Sequence, residues 1–373
     1  MVKQPSHFRD GCLFLLKFVK VKINAKLKYN FIILLSIFLC AKSFNQQKKQ
    51  EMKSNKFEPN DGKVLFFIGQ DLEAVGGFEN YNAGYVDTFN IPAGITAYTN
   101  LSPGDYSFSY YIKGLDGTKT KANWGAGDTC LQFYVDNPKF KNTMLSIGLS
   151  MVNHDKNVAK GKHDNLIKEL GLWIKSTKRS VFLRIGYEFD GWDWNNYKKK
   201  YYLKAFKRIH HILKEMEVNN VAFVWQSKGT GSNQKVLEDW YPGDEYVDWC
   251  GYSYFNNPDT EMLTFARKNN KPVFIAEACP VLKDEFGNFH ANLSNQKEAK
   301  LVWEKWFIPF FKTIEDNKDV IKAFSYINVE WKSQIMWATN DYFKNVDSRI
   351  QKSEYISKKW LEEIQKEKYL KNQ

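Results

Sequence analysis

From residue 57 onward, short uninterrupted apolar runs alternate with longer segments in which apolar side chains recur every three or four residues. The short runs, at 64–69, 94–99, 144–149, 181–187, 221–226, 247–254, 272–276 and 321–328, are rich in β-branched and aromatic residues and predict strands. The longer segments, among them 164–176, 201–216, 261–269 and 296–316, predict helices, and a closing helix is expected over 354–367. Parallel strands in a closed barrel are covered on both faces, so their apolar runs are continuous instead of alternating. Eight such runs predict an α/β fold with a single (β/α)8 TIM barrel spanning 57–373. A doubly wound open sheet is the other arrangement with this rhythm, but no glycine-rich phosphate loop follows the first strand.

A barrel of this kind accommodates a chain of 373 residues in one domain. No internal repeat and no separate carbohydrate-binding module is visible. The run Phe31-Ile-Ile-Leu-Leu-Ser-Ile-Phe-Leu-Cys40 is too short to span a bilayer. With Lys26 and Lys28 before it and Ala41-Lys42-Ser43 after it, it reads as the apolar part of a secretory leader covering 1–43. The chain is therefore expected to be secreted or held at the outer surface. Cleavage after Ser43 gives a soluble product; a lipid on Cys40 gives membrane attachment. The Gln/Lys-rich stretch 44–56 is expected to be a disordered linker.

The net charge of +12 suggests nucleic acid only until it is located. Residues 1–56 hold twelve Lys and Arg against Asp10 and Glu51, which leaves the remainder at only +2. A nearly neutral body disfavours nucleic acid as a partner. Outside the leader, Cys130, Cys250 and Cys279 are an odd set and read as buried thiols, a Cys250–Cys279 bridge being the alternative. The six His are scattered and no cluster has metal-ligand spacing, so neither a metal nor a cofactor is expected. A monomer is expected. Phe, Tyr and Trp make up 16% of the chain, enough to suggest a use beyond packing, such as stacking on sugar rings.

In a β/α barrel the active site lies at the C-terminal strand ends, so polar residues closing apolar runs are the first candidates. Strand four reads Val-Phe-Leu-Arg184-Ile-Gly-Tyr187-Glu188-Phe-Asp190-Gly191-Trp192, and strand seven reads Pro272-Val-Phe-Ile-Ala-Glu277. Glycoside hydrolysis needs two carboxyl groups, and a retaining pair stands about 5–5.5 Å apart. Strands four and seven face each other across a barrel mouth, so Glu188 and Glu277 are the expected pair. Singly, each is also readable as a helix cap or salt-bridge partner. Arg184 is placed to hold Glu277 ionised, a barrel-core ion pair being the other reading, and Tyr254 either donates to that carboxylate or packs. Trp192, Trp194, Trp225, Trp331 and Trp337 follow strand ends, where each is either core or a sugar platform. Asp190 reads as a loop cap.

At these residues the sequence resembles glycoside hydrolase family 26, retaining barrel enzymes of clan A. The resemblance rests on 184–191 (Arg-Ile-Gly-Tyr-Glu-Phe-Asp-Gly), 240–251 (Trp-Tyr-Pro-Gly-Asp-Glu-Tyr-Val-Asp-Trp-Cys-Gly) and 271–277 (Lys-Pro-Val-Phe-Ile-Ala-Glu), and extends over roughly 60–335. It implies Glu188 as proton donor and Glu277 as nucleophile. The family's mannanases have His immediately before the acid/base, where this chain has Tyr187. Gly69-Gln70-Asp71, Ala97-Tyr98-Thr99 and Trp124-Gly125-Ala126-Gly127 look more like the family's endo-1,3-β-xylanases. The resemblance thus implies an endo-acting hydrolase of β-1,3-xylan, with Gln70, Asp71, Trp192, Trp225 and Trp331 as substrate-binding candidates. β-Mannan and mixed-linkage β-glucan remain alternatives, as does a non-catalytic sugar-binding barrel, which the presence of both carboxylates disfavours.

Overall fold

In the computed structural model, residues 55–372 apart from Phe108 are described. The leader, Cys40, its cleavage positions and most of the expected linker lie outside them. Eight strands pair in parallel in chain order: β1 (Val64–Gly69), β2 (Gly94–Asn100), β3 (Met144–Ser150), β4 (Val181–Ile185), β5 (Val221–Ser227), β6 (Trp249–Tyr254), β7 (Val273–Ala278) and β8 (Ile321–Ile327). The ring closes because β8 pairs back onto β1, with Phe67 opposite Ser325. This is the expected TIM barrel. The residues of β1, β4, β5, β6, β7 and β8 are all buried, the consequence of covering both faces.

The helices form for local reasons. Lys199–Glu215 buries Tyr202, Ala205, Phe206, Ile209, Ile212 and Leu213, a stripe at three- and four-residue spacing, and leaves its lysines outside. Asp259 and Ser353 cap the helices Thr260–Lys268 and Glu354–Ile364 through their side-chain oxygens. The expected helix 296–316 is present with a π segment, Trp303–Phe307, between Gln296–Val302 and Ile308–Asp316.

Two hydrophobic layers result. The larger lies between strands and helices; the smaller fills the barrel and contains Leu65, Phe67, Phe182, Ala222, Val224, Trp249, Phe274, Ala276 and Ala323. Phe67 meets Phe182 and Phe274 at ring-centroid distances of 5.4 and 5.0 Å, and Phe182 meets Trp249 at 5.2 Å. The fold begins slightly earlier than expected: Trp249 Nε1 donates to the Lys56 carbonyl at 2.7 Å, and Phe57 packs on Phe182. Higher in the barrel, Thr96 and Ser325 share a hydrogen bond of 2.7 Å, and above them polar side chains take over. Gly148 makes room for that layer. A Cβ there would stand 2.4 Å from Tyr98 Cδ1 and 2.9 Å from Arg184 Nη2.

Gly148→Val should therefore displace the guanidinium and cost about 1–3 kcal/mol through overpacking. Urea unfolding checks this, and an unchanged midpoint would show that the interior is looser than described.

Candidate active site

β4 ends at Ile185, two residues before the expected 187, because the backbone turns: Gly186 and Glu188 both have φ of 52°. A left-handed glutamate is an unfavourable backbone state that its surroundings must hold in place. They do so at several points. The Glu188 carbonyl accepts from the Gly191 N–H at 2.8 Å and from Asn195 Nδ2. Phe189 N–H donates to the Gln226 carbonyl at 3.2 Å, and its ring stacks on Trp225 at 4.6 Å. Asp190 accepts from the Lys228 N–H at 2.7 Å and from Ser232 Oγ, which makes it the loop clamp that the sequence suggested.

Glu277 reaches the interior by a different device. Phe274 and Ala276 point into the barrel, so strict alternation would turn Glu277 outward. The β6–β7 register shifts between Tyr252 and Ser253, pairing Tyr252 with Ile275 and Ser253 with Glu277. This irregularity aims the carboxylate inward.

Arg184 is the centre of the polar layer, with no exposed surface. Its Nη1 donates to Glu277 Oε1 at 2.7 Å and to Gln226 Oε1 at 3.0 Å. The rings of Tyr98 and Tyr187 flank the guanidinium at 5.1 and 5.4 Å. Gln226 Nε2 donates to Ser253 Oγ at 3.0 Å and lies 3.5 Å from Glu277 Oε1, and Ser253 Oγ donates to Glu188 Oε1 at 2.6 Å. The two carboxyl groups thus share one hydrogen-bonded network. Burial, and then the negative charge of Glu277, push the Glu188 carboxyl up to about 8, while the Ser253 hydrogen bond works against them. Near neutral pH the site can hold Glu188 protonated beside a Glu277 carboxylate paired with arginine.

Several expected residues lie elsewhere. Tyr254 faces the helix layer, edge-on to Trp306 and Phe310 with its hydroxyl bonded to Thr313, so it does not serve Glu277. Alternation along β6 puts Ser253 inside and Tyr254 outside, and Gln226 occupies the neighbouring place on Glu277. Trp225 is buried on the outer face of β5 among Phe189, Tyr241 and Phe265, which removes it as a sugar platform. Trp331 is likewise packed, stacked on Phe343 at 4.0 Å with its Nε1 3.3 Å from Cys279 Sγ. Trp337 lies edge-on to Trp331, and Trp194 lies against Tyr187. Trp192 is 50% exposed beyond β4 and remains available. Cys130, Cys250 and Cys279 are buried and free, so Cys250 and Cys279 are not bridged.

Gln70 and Asp71 are buried where β1 ends. Asp71 caps the short helix Leu72–Val75 through Ala74 N–H at 2.7 Å and accepts from Gln334 Nε2 at 2.7 Å. Burial pushes its carboxyl up to about 7. Asp71, Asn123, Asp128, Glu330, Gln334 and Arg349 line a cavity of about 320 Å³ beside the mouth, whereas Gln70 does not border it. Gln226 and Ser253 escaped the sequence reading although both are polar residues near the end of apolar runs, the signal that found the glutamates.

Fold and site together define a barrel enzyme of the glycoside hydrolase class. The chain belongs to glycosyl hydrolase family 26, whose model matches residues 43–333. It is 33% identical over 333 residues to a β-1,3-xylanase of an Alcaligenes species, covering 84% of this chain and 66% of that one. It is also 33% identical over 339 residues to the β-1,3-xylanase TXYA of a Vibrio species, covering 85% and 68%. The chain spans about two thirds of the length of these curated relatives. Among solved structures, a family 26 β-mannanase from Bacteroides ovatus superposes with a TM-score of 0.53 at 14% identity, covering 83% of this chain and 91% of that one. The GH26C protein of a Muricauda species gives 0.54 at 15%, covering 83% and 88%. Those two likenesses establish the barrel.

Two outcomes follow from the buried charges. Arg184→Leu strands the Glu277 carboxylate and should cost about 3–5 kcal/mol in urea unfolding, with Arg184→Leu/Glu277→Leu recovering much of it; a single variant as stable as the wild type would refute the pairing. The folded chain also keeps on Glu188 a proton that the unfolded chain releases near its ordinary 4.5. Stability should therefore fall as pH rises from there toward about 8. Asp71, raised from 3.8 to about 7, contributes in the same direction. Glu188→Gln keeps the shape without the titration, so its urea midpoint should drop less across that window. An equal drop would place the proton elsewhere.

Proposed function

We propose that this chain is a retaining, endo-acting hydrolase of a β-linked wall polysaccharide, with β-1,3-xylan as its substrate, Glu277 as nucleophile and Glu188 as acid/base. The observation that supports the reading is the 2.7 Å Arg184–Glu277 pair, joined through Gln226 and Ser253 to Glu188: one carboxyl group has a cationic partner, and burial and its neighbour's charge favour the protonated form of the other, the asymmetry that double displacement requires. In the first step a Glu277 oxygen bonds to the anomeric carbon, the glycosidic C–O bond breaks, and the Glu188 proton goes to the leaving oxygen. In the second, water attacks the same carbon, the ester to Glu277 breaks, and Glu188 takes the water proton. Esterification removes the charge of Glu277, which lowers the affinity of Glu188 for its proton only until that proton is needed back.

Support for β-1,3-xylan comes from the two β-1,3-xylanases at 33% identity and from Tyr187 and Asp71, which shape the mouth and its side cavity. β-Mannan is the alternative that the Bacteroides ovatus fold relative suggests. The leader-like 1–43 supports export, which an intact mass of the native protein would test.

Digestion of β-1,3-xylan, β-1,4-xylan, mannan and mixed-linkage glucan, with the products sized, should show xylo-oligosaccharides from the first and little from mannan; the reverse order would move the chain to another substrate. The first-formed anomer should be β by NMR, and an α-anomer would exclude retention. Glu277→Ala should abolish turnover. For the wild type, kcat/KM should fall as pH rises through about 8, where Glu188 loses its proton.

A further inference from the structure

The hydrogen bonds between Arg184 and Glu188 have a direction set by what each group can donate and accept. A guanidinium only donates, so the Gln226 atom that meets Arg184 Nη1 at 3.0 Å is its carbonyl oxygen. That fixes the amide, whose Nε2 then faces Ser253 Oγ at 3.0 Å and Glu277 Oε1 at 3.5 Å. An amide nitrogen also only donates, so Ser253 Oγ is the acceptor from Gln226. Ser253 Oγ could accept a second hydrogen bond, but its own proton would then have no acceptor among the described residues, so that proton points at Glu188 Oε1, 2.6 Å away. Two protons do not fit between oxygens at that distance, so Oε1 is not the oxygen that carries the acid proton.

We propose that Ser253 and Gln226 are positioning residues that assign the two oxygens of Glu188: Oε1 is held as a hydrogen-bond acceptor, and the catalytic proton is carried on Oε2. The inference rests on the reading of Glu188 as acid/base. It goes beyond that reading by naming the atom that gives the proton to the leaving oxygen and, after the glycosyl-enzyme forms, takes one back from water. The Ser253 bond persists through both steps because it favours the ionised carboxylate that exists between them. No atom of Ser253 or Gln226 enters a covalent step.

The groups facing the Glu188 carboxyl come from several elements. Glu277 on β7 and Asp190 in the loop after β4 favour its protonated form, and Arg184 on β4 and the Ser253 hydrogen bond favour its ionised form. Tyr98 on β2 and Tyr342 in the segment after β8 also face it and stay neutral, since burial raises both phenols. Of this set, Ser253 is the neutral group hydrogen-bonded to Glu188, and it can be removed without changing the charge of the site.

The test uses Ser253→Ala beside Glu188→Ala and the wild type, on the polysaccharide that the wild type degrades and on the 2,4-dinitrophenyl glycoside of the sugar it releases. The activated leaving group needs no proton, so kcat/KM on it bypasses acid catalysis. Ser253→Ala should lose about tenfold to a hundredfold in kcat/KM on the polysaccharide, part of what a general acid contributes, and less than about threefold on the dinitrophenyl glycoside. Its alkaline limb on the polysaccharide should move up by about one pH unit, because a hydrogen bond to the carboxylate has been lost. Equal losses on the two substrates, or an alkaline limb that stays or moves down, would overturn the assignment and leave Ser253 as a packing residue. Glu188→Ala should show the same split between substrates with a larger loss. If Glu188→Ala loses both activities alike, the acid/base reading itself fails; if only Ser253→Ala lacks the split, this inference fails alone.

Discussion

The site is organised around a guanidinium with no exposed surface in the middle of a barrel. With no surface open to solvent, that charge depends on the protein for its counter-charge: Nη1 is bonded to Glu277 and Gln226, while Nε and Nη2 have no hydrogen-bond partner among the described residues. The consequences can be followed residue by residue. Glu277 has to be aimed inward, which the irregular β6–β7 register accomplishes. Gln226 has to turn its carbonyl toward Arg184, which fixes its amide and through it Ser253. Tyr98 and Tyr187 have to present ring faces, and position 148 has to lack a side chain. Below this layer the aromatic residues Phe67, Phe182, Trp249 and Phe274 fill the barrel, so the polar network has a rigid floor.

Much of this fold was legible in the sequence, and the reason is the double burial of parallel strands. All eight apolar runs became barrel strands, with ends displaced by two residues or fewer. The same property concealed which residues of a run point inward. In a half-buried strand, alternation labels the faces; in a run such as Trp249-Cys-Gly-Tyr-Ser-Tyr254 every residue is buried and no polar–apolar alternation marks which face is inward. Hence Tyr254 was expected in the site and Ser253 was not, although one residue separates them. Trp225 failed for the same reason: it precedes Gln226, and only one of two neighbours can face the interior. The sequence singled out the two glutamates as a pair, since either alone also reads as a cap or salt-bridge partner, and the structure brings both into one hydrogen-bonded network. Their routes into the mouth, a left-handed turn at Glu188 and a register shift before Glu277, had no sequence signal.

The division between strands and loops also separates what the fold must keep from what it can vary. The charged network is anchored on β4 to β7, where moving any member strands a buried polar group. The cavity of about 320 Å³ is built from the segments after β1, β2 and β8, with Asp71 and Gln334 at its wall. Those segments carry fewer obligations to the barrel, so their residues can change with less cost to stability. A fold shared at 14% identity with a β-mannanase therefore does not fix a substrate.

A retaining mechanism asks one carboxyl group to be a nucleophile and its neighbour to be an acid in the same low-dielectric space. Proximity alone does not decide which is which, since each charge raises the proton affinity of the other. The decision comes from asymmetry in the partners. Glu277 receives a permanent positive charge at 2.7 Å, whereas Glu188 receives a neutral hydroxyl at 2.6 Å. A cation favours ionisation far more than a hydroxyl does, so on the proposed reading the proton resides on Glu188. The hydroxyl works in the opposite direction to burial and the Glu277 charge, and so in the proposed mechanism it eases the release of that proton. The proposed division of roles between the two glutamates thus rests on an asymmetry of partners, not on any difference between the carboxyl groups themselves.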